Sequence, residues 1–251
     1  MRSLGPLVSA DLHRRYAGSR LGAFWAVLGP LLEAAAYALI FGRILGTAGA
    51  GTMPYAVLIA SGLFPWISLR ESLEGSASVL GDNRWIRRAR VPAELLVARL
   101  VLAASVRALV GLALVIGFAL LSARRPSLLG WIAPLLAFVL QAIGTYGLGL
   151  LVAPVGTLLP DSRPTLGSLL TLLTFASPIV YPESLATGTA RTLLLANPFT
   201  HLLRLYRSPI EPLDGHTVLV SAAVSAGAAL AAVVAGRIVA RRLWWKARDT
   251  L

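Results

Sequence analysis

A chain of 251 residues with a net charge of +12, only 14% charged residues and 57% hydrophobic ones is not a soluble globular domain, where about 25% of residues are charged. Its mean hydropathy of +0.75 and its succession of long apolar runs are those of a polytopic α-helical membrane protein. The absence of cysteine excludes a disulfide framework and a thiolate metal site, and basic residues gathered at the ends of apolar runs answer to lipid headgroups and topology rather than to nucleic acid.

Residues 1–22 place Leu4, Leu7, Val8, Leu12 and Tyr16 at roughly helical spacing with Arg2, His13 and Arg14 mostly elsewhere, the pattern of an amphipathic interfacial helix. A frayed basic terminus is the alternative. The segment is too charged for a signal peptide, and no small-residue cleavage site follows it. The first span is expected from Phe24 to Leu45. The second starts near Pro54 and carries Ser61-Gly62-Leu63-Phe64-Pro65-Trp66.

Residues 82–92 then form a basic island, Asp82-Asn83-Arg84-Trp85-Ile86-Arg87-Arg88-Ala89-Arg90-Val91-Pro92, between two apolar runs. Positive charge in short loops stays in the cytoplasm, which fixes the topology. Trp85 and Ile86 among the arginines add a greasy side, which suits docking on a soluble partner as well as orientation. The third span runs to about Leu121, the fourth from Trp131 to Leu159 with Pro134 and Pro154 inside it, and the fifth from Leu166 to Val180. Residues 181–216 are too polar to span and form a far-side segment. The sixth span, Val218 to Val239, ends in Arg237, Arg241, Arg242, Lys246 and Arg248. Fourteen basic residues fall on cytosolic segments against five in far-side loops, so both termini are expected in the cytoplasm. No internal repeat and no soluble domain interrupt the chain, which reads as one transmembrane domain over residues 1–251.

Little here resembles catalytic chemistry. Lys246, the only lysine, lies between Trp245 and Ala247, so there is no P-loop, whose lysine must stand beside Ser or Thr after a glycine-rich turn to reach the terminal phosphates. ATP that drives this protein must be hydrolysed, with its magnesium, on another polypeptide; this chain needs no cofactor of its own. His13, His201 and His216 have no second ligand at metal spacing. No Gly-x-Ser-x-Gly elbow is present. Glu33 and Arg107 are ionisable residues in or at spans, which makes them functional candidates. Arg107 precedes a short apolar run and is expected to snorkel to the membrane edge, a buried channel charge being the alternative. Phe64, Trp66, Phe175 and Tyr181 fit either an interfacial aromatic belt or a stacking surface for sugar rings.

The order of these features resembles the permease subunits of type-2 ABC exporters for polysaccharides such as O-antigen, capsule and teichoic acid. The resemblance rests on Arg15-Tyr16 through Gly22-Ala23-Phe24-Trp25 to Pro30, on Ser61-Gly62-Leu63 with Trp66, on Asn83 through the arginines to Pro92-Ala93-Glu94, and on Ser177-Pro178-Ile179-Val180-Tyr181 followed by Asn197-Pro198 and Tyr206-Arg207. One departure is Pro160 before Asp161, where the family has Arg-Asp. The resemblance implies six transmembrane helices in an all-α fold, with short re-entrant helices between the fifth and sixth. It implies a homodimer in the bacterial inner membrane with two copies of an ABC ATPase subunit, coupled through Arg84, Trp85, Arg87 and Arg88. A lipid-linked glycan would pass between the two copies along Phe64, Trp66, Phe175 and Tyr181. A type-2 exporter of a drug or lipid is the alternative within transport, and a membrane assembly scaffold the alternative outside it.

Overall fold

The computed structural model describes residues 24–37, 39–40, 55–80, 91–122 and 126–249. Its helices are α1 (Trp25–Tyr37), α2 (Tyr55–Ser78), α3 (Ala93–Leu121), α4 (Leu128–Leu158), α5 (Ser162–Phe175), α6 (Gly188–Ala196), α7 (Pro198–Arg207) and α8 (Gly215–Asp249), with a 3-10 turn at Glu183–Leu185. Among the described residues there is no strand, so the chain is all-helical as the apolar runs require. Helices α3, α4 and α8 are each long and apolar enough to cross a membrane. Helix α2, at 24 residues, is about 36 Å long at 1.5 Å per residue and carries Arg70, Glu71 and Glu74 in its second half. Helix α5 has 14 residues, about 21 Å, which is short of a ~30 Å hydrocarbon core. The expected interfacial helix at 1–22 and the basic residues of the island lie outside the described residues.

Helix ends follow local chemistry. Pro92, extended at φ −68° and ψ 149°, precedes α3. The Ser127 hydroxyl accepts from Gly130 N at 3.2 Å and caps α4. Pro134 and Pro154 lie inside α4, which is nonetheless assigned as one continuous helix.

Helix α4 is the element that α2, α3 and α8 all cross, and its glycines mark the crossings. A Cβ at Gly147 would lie 2.4 Å from the α8 backbone at Ala232 and Val233, and one at Gly236 only 2.1 Å from the Gly147 carbonyl. The two backbones therefore touch, the close approach that small residues permit where lipid supplies no hydrophobic drive between helices. A Cβ at Gly156 would meet the Ala77 carbonyl of α2 at 2.4 Å, and one at Gly149 would meet Val97 of α3 at 2.6 Å. On α2, Ser68, Ser72 and Ser76 form a buried stripe one turn apart. The hydroxyls of Ser72 and Ser76 donate to carbonyls one turn back, at 2.7 and 2.6 Å, which satisfies them without water.

The bundle has a core at each end. One joins Leu58, Ile59 and Leu63 of α2 to Val115 of α3, Leu170 of α5 and Ile179, Phe199 and Ile210 of the polar segment. The other joins Val79, Leu80, Ala93 and Leu96, on either side of residues 81–90, to Leu150 of α4 and Trp244 of α8. The Trp244 indole also donates to the Val91 carbonyl at 3.3 Å.

These contacts separate two glycines by outcome. Gly147→Val must displace the α8 backbone, a cost at or above the ~1–3 kcal/mol typical of overpacking, and should lower the detergent-solubilised Tm or abolish recovery of monodisperse protein. Gly144→Ala, whose Cβ would meet Ala229 at an ordinary 3.5 Å, should leave Tm within about 2 °C.

Candidate functional site

The segments whose motifs are far apart in sequence meet at one side chain, Arg207, at the end of α7. Arg207 is only 4% exposed. Its Nε donates to Ser61 Oγ at 2.9 Å, and its Nη2 donates to the carbonyls of Leu58 at 3.1 Å and Ile179 at 3.5 Å. The Ser61 hydroxyl donates in turn to the Leu58 carbonyl at 2.6 Å. Gly62 leaves room for this clasp, since a Cβ there would lie 3.2 Å from Arg207 Nη2 and 3.2 Å from Ile179 Cα. Pro65 has no N–H for the Ser61 carbonyl, so α2 is locally weakest beside the clasp. Burial pulls the Arg207 guanidinium down to about 10, opposed by Glu211, Glu183 and Tyr55; it is still a cation at neutral pH.

Further contacts hold residues 176–210 to the bundle. The Asn197 amide donates to the Ala176 carbonyl at 3.2 Å and to Ser177 Oγ at 2.8 Å. Its carbonyl accepts from Phe199 N at 2.9 Å, capping α7, and Pro198 follows at the first helical turn. Tyr206 donates to Gln141 Oε1 at 2.8 Å, and Gln141 Nε2 donates to the Pro65 carbonyl at 2.7 Å. Ser208 donates to the Gly130 carbonyl at 3.0 Å, and Tyr55 donates to the Val180 carbonyl. Arg204 and Glu183 form an ion pair, and the hydrogen bond from Arg204 holds the Glu183 carboxyl below its ordinary range. Helix α7 is thus fastened to α2 and α4 by polar side chains, and α6 packs against α7 to complete a lid.

The aromatic candidates separate. Phe64 is wholly buried in the protomer, and a Cβ at Gly111 of α3 would come 2.6 Å from its Cβ. Trp66, 4% exposed, sits edge-to-face on Phe199 with centroids 5.1 Å apart at 69°. Phe175 is 62% exposed. Tyr181 is half-buried beside it, its hydroxyl donating to the Phe175 carbonyl at 2.9 Å.

Arg107 does not snorkel. It is 2% exposed and forms an ion pair with Glu71, which is nearly two turns beyond the α2 region facing Gly111. The apolar run that follows Arg107 gives no sign of this, because the partner lies on another helix. Glu33 falls on α1, its side chain outside the described residues, as do Arg84, Trp85, Arg87 and Arg88. Near the departure from the family pattern, Arg163 Nε donates back to the Gly156 carbonyl at 2.8 Å, and Asp161 makes no side-chain capping bond to α5. Gln141, Asn197 and Glu71 carry roles that neither charge pattern nor apolar periodicity singled out; for Asn197 the Asn-Pro dipeptide is the one signal, a helix cap followed by a proline.

Two substitution sets test these charges. Arg207→Met removes three donor contacts at once, charge-assisted bonds worth roughly 1.5–3 kcal/mol each, and should release the lid, read as new proteolytic cleavage within residues 181–197; Ser61→Ala, which loses one contact, should show a small fraction of this. For the ion pair, Arg107→Met or Glu71→Met alone should destabilise by about 3–5 kcal/mol, whereas the double substitution should recover most of the loss, as measured by thermal unfolding in detergent.

No protein-family model matches the chain. It is 30% identical over 205 residues, 80% of its length and 77% of the relative's, to the O-antigen export system permease of Myxococcus xanthus. It is 25% identical over 204 residues, with 80% and 77% covered, to the O-antigen export system permease of Klebsiella pneumoniae. To the polysialic acid transport protein of Escherichia coli it is 27% identical over 207 residues, with 80% and 78% covered. Relatedness over four-fifths of the chain, together with the convergence of its scattered motifs on one clasp, has a single reading: the chain belongs to the permease subunits of type-2 ABC polysaccharide exporters.

Proposed function

We propose that this chain is the membrane permease of an ATP-driven exporter that moves a lipid-linked polysaccharide of the O-antigen kind across a bacterial inner membrane. The observation that carries the reading is the relatives' shared role: permeases for O-antigen and a transport protein for polysialic acid each match four-fifths of the chain. Two copies of the chain line the path, and two ATPase subunits drive it from the cytoplasmic side, in keeping with the missing P-loop. An exporter of drugs or lipids has no comparable support.

Helix α5 supports the pairing of copies. Only Leu170 of its residues is buried, and Leu169, Leu172 and Phe175 stand exposed. The basic island is the coupling segment, with Arg84, Trp85, Arg87 and Arg88 facing the ATPase. Its mounting suits force transmission, because Val79 and Leu80 before it and Ala93 and Leu96 after it are buried in one core. Exposed Arg241 and Arg242 on α8 belong to the same end, which supports reading that end as cytoplasmic and α6 and α7 as a gate on the far side. At the gate, Phe175 and Tyr181 offer apolar ring faces that hold sugars without strict readout; Phe64 and Trp66 act from behind, setting where the gate rests.

Purified alone, the chain should hydrolyse no ATP, and co-expression with its ATPase should give a complex of two copies of each. Arg87→Ala with Arg88→Ala should reduce ATPase stimulation and export with membrane insertion intact. ATP hydrolysis by the lone chain would refute the assignment; normal coupling by inserted double variants would leave the island a topology signal only.

A further inference from the structure

Beneath the gate lies a cavity of about 270 Å³, walled by α2, α4, α5 and α8 and roofed by Asn197, Pro198 and Phe199. Three buried polar atoms face it without a hydrogen-bond partner: the Trp66 indole N–H, Thr145 Oγ1 and Ser225 Oγ. Their residues are 4%, 3% and 3% exposed. Among the described residues these two hydroxyls, with Thr200 outside the cavity, depart from the usual pattern. Ser72, Ser76, Ser105 and Thr157 all donate to the carbonyl one turn back, the usual way a helical hydroxyl is satisfied away from water. Thr145 and Ser225 do not, and a buried polar group left unmatched is costly.

We propose that this cavity binds an uncharged lipid-like ligand, a hydrocarbon chain bearing a hydroxyl or ester oxygen. The lining chemistry selects that class. No charged side chain borders the cavity, so an ion would be buried without compensation. An indole nitrogen only donates, so the occupant must offer an acceptor oxygen, and the two hydroxyls can each donate to or accept from it. The other polar lining groups are engaged, Gln141 with Tyr206 and Pro65, and Asn197 with Ser177. The remaining wall is mainly leucine and alanine, which gives water molecules beyond the first few nothing to bond. Exposed Leu148 of α4 and Leu173 of α5 stand at the margin, and Leu148 lies well inside a helix of membrane-crossing length. The cavity therefore opens toward hydrocarbon, and its occupant arrives from the bilayer. Phe199 is both roof of the cavity and partner of Trp66, so an occupant bears directly on the gate.

The test uses the full chain in lipid nanodiscs and three photoreactive probes of matched chain length: a long-chain alcohol, an alkane and a diacyl phosphatidylcholine. The alcohol should label peptides containing Thr145 or Ser225 about tenfold more than the alkane, equivalent to about 1.4 kcal/mol. Thr145→Val with Ser225→Ala, which are nearly isosteric and relieve unmatched groups, should abolish that preference without lowering Tm. Trp66→Phe, which removes the donor together with one ring of the indole, should reduce it, and Ala229→Leu should block labelling by filling the cavity. Labelling by the diacyl probe as well identifies a bilayer lipid as the source; labelling by the alcohol alone identifies a single-chain amphiphile. Both support the site. Equal labelling by alkane and alcohol, a preference unchanged in the double variant, or no labelling by any probe, as when a second copy seals the margin, overturns it.

Discussion

A guanidinium kept out of water needs acceptors for its donors, and that requirement organises one whole end of this protein. Arg207 meets it with the Ser61 hydroxyl and with main-chain carbonyls from α2 and the 177–180 turn. Among the described residues no carboxylate forms an ion pair with it. The arrangement is therefore geometrically strict, because carbonyls must be aimed where a carboxylate could swing. Gly62 follows from that strictness, as does the short distance from Ser61 to Leu58, which lets one hydroxyl both accept from the arginine and donate to the carbonyl the arginine also uses. Helix α6 buries only Leu194, whereas α7 also seats Phe199, Leu203, Leu205 and Tyr206 in the apolar clusters. The position of the gate helices is also set by this clasp and by Asn197, Tyr206 and Ser208.

The opposite end is built on another principle. There the helices hold each other by backbone proximity at Gly147, Gly149, Gly156 and Gly236, and by an apolar core around Trp244. Close glycine crossings resist sliding, since any shift drives a neighbouring Cβ into backbone. Polar clasps are more readily exchanged, because a hydrogen bond lost in one position can be replaced in another. The two ends therefore differ in stiffness, with close crossings toward residues 79–96 and exchangeable polar contacts around α7.

Much of this was legible from residue order. The fourth apolar run, expected over Trp131 to Leu159, is helix Leu128–Leu158, and the sixth lies within Gly215–Asp249. Segments of 15 or more apolar residues leave a chain in lipid no alternative to helix. The fifth helix was shifted, beginning at Ser162 and ending at Phe175, because Ser177 and Pro178 belong to a turn fixed by Asn197 rather than to the apolar run that contains them. The candidate residues were harder to read. Phe64 and Trp66 stand two apart, which on a helix points them about 200° from each other; one packs on α3 over Gly111 and the other on Phe199, so no single surface takes both. Arg107 was read from its own flanks, whereas its burial is decided by Glu71, a residue 36 positions away in sequence. Periodicity registers which face of a helix is apolar, not which charge on a neighbouring helix meets it.

The buried cations Arg107 and Arg207 differ in what they permit. Arg107 is matched by a carboxylate on the adjacent helix, so the α2–α3 pair is locked by opposite charges whose separation would strand both in a low-dielectric interior. Arg207 is matched by dipoles, and dipoles are less costly to leave because each carbonyl retains its place in the backbone. Between them runs α2, tied to α3 through Glu71 and to α7 through Ser61, with Pro65 removing a helical hydrogen bond in the interval. A bend at Pro65 would move Ser61 and the gate while leaving Glu71 and the lower crossings in place. The proline sits where the change from rigid to movable has to occur, and Gln141, bonded at once to the Pro65 carbonyl and to Tyr206 of the gate, is the side chain through which α4 registers that bend.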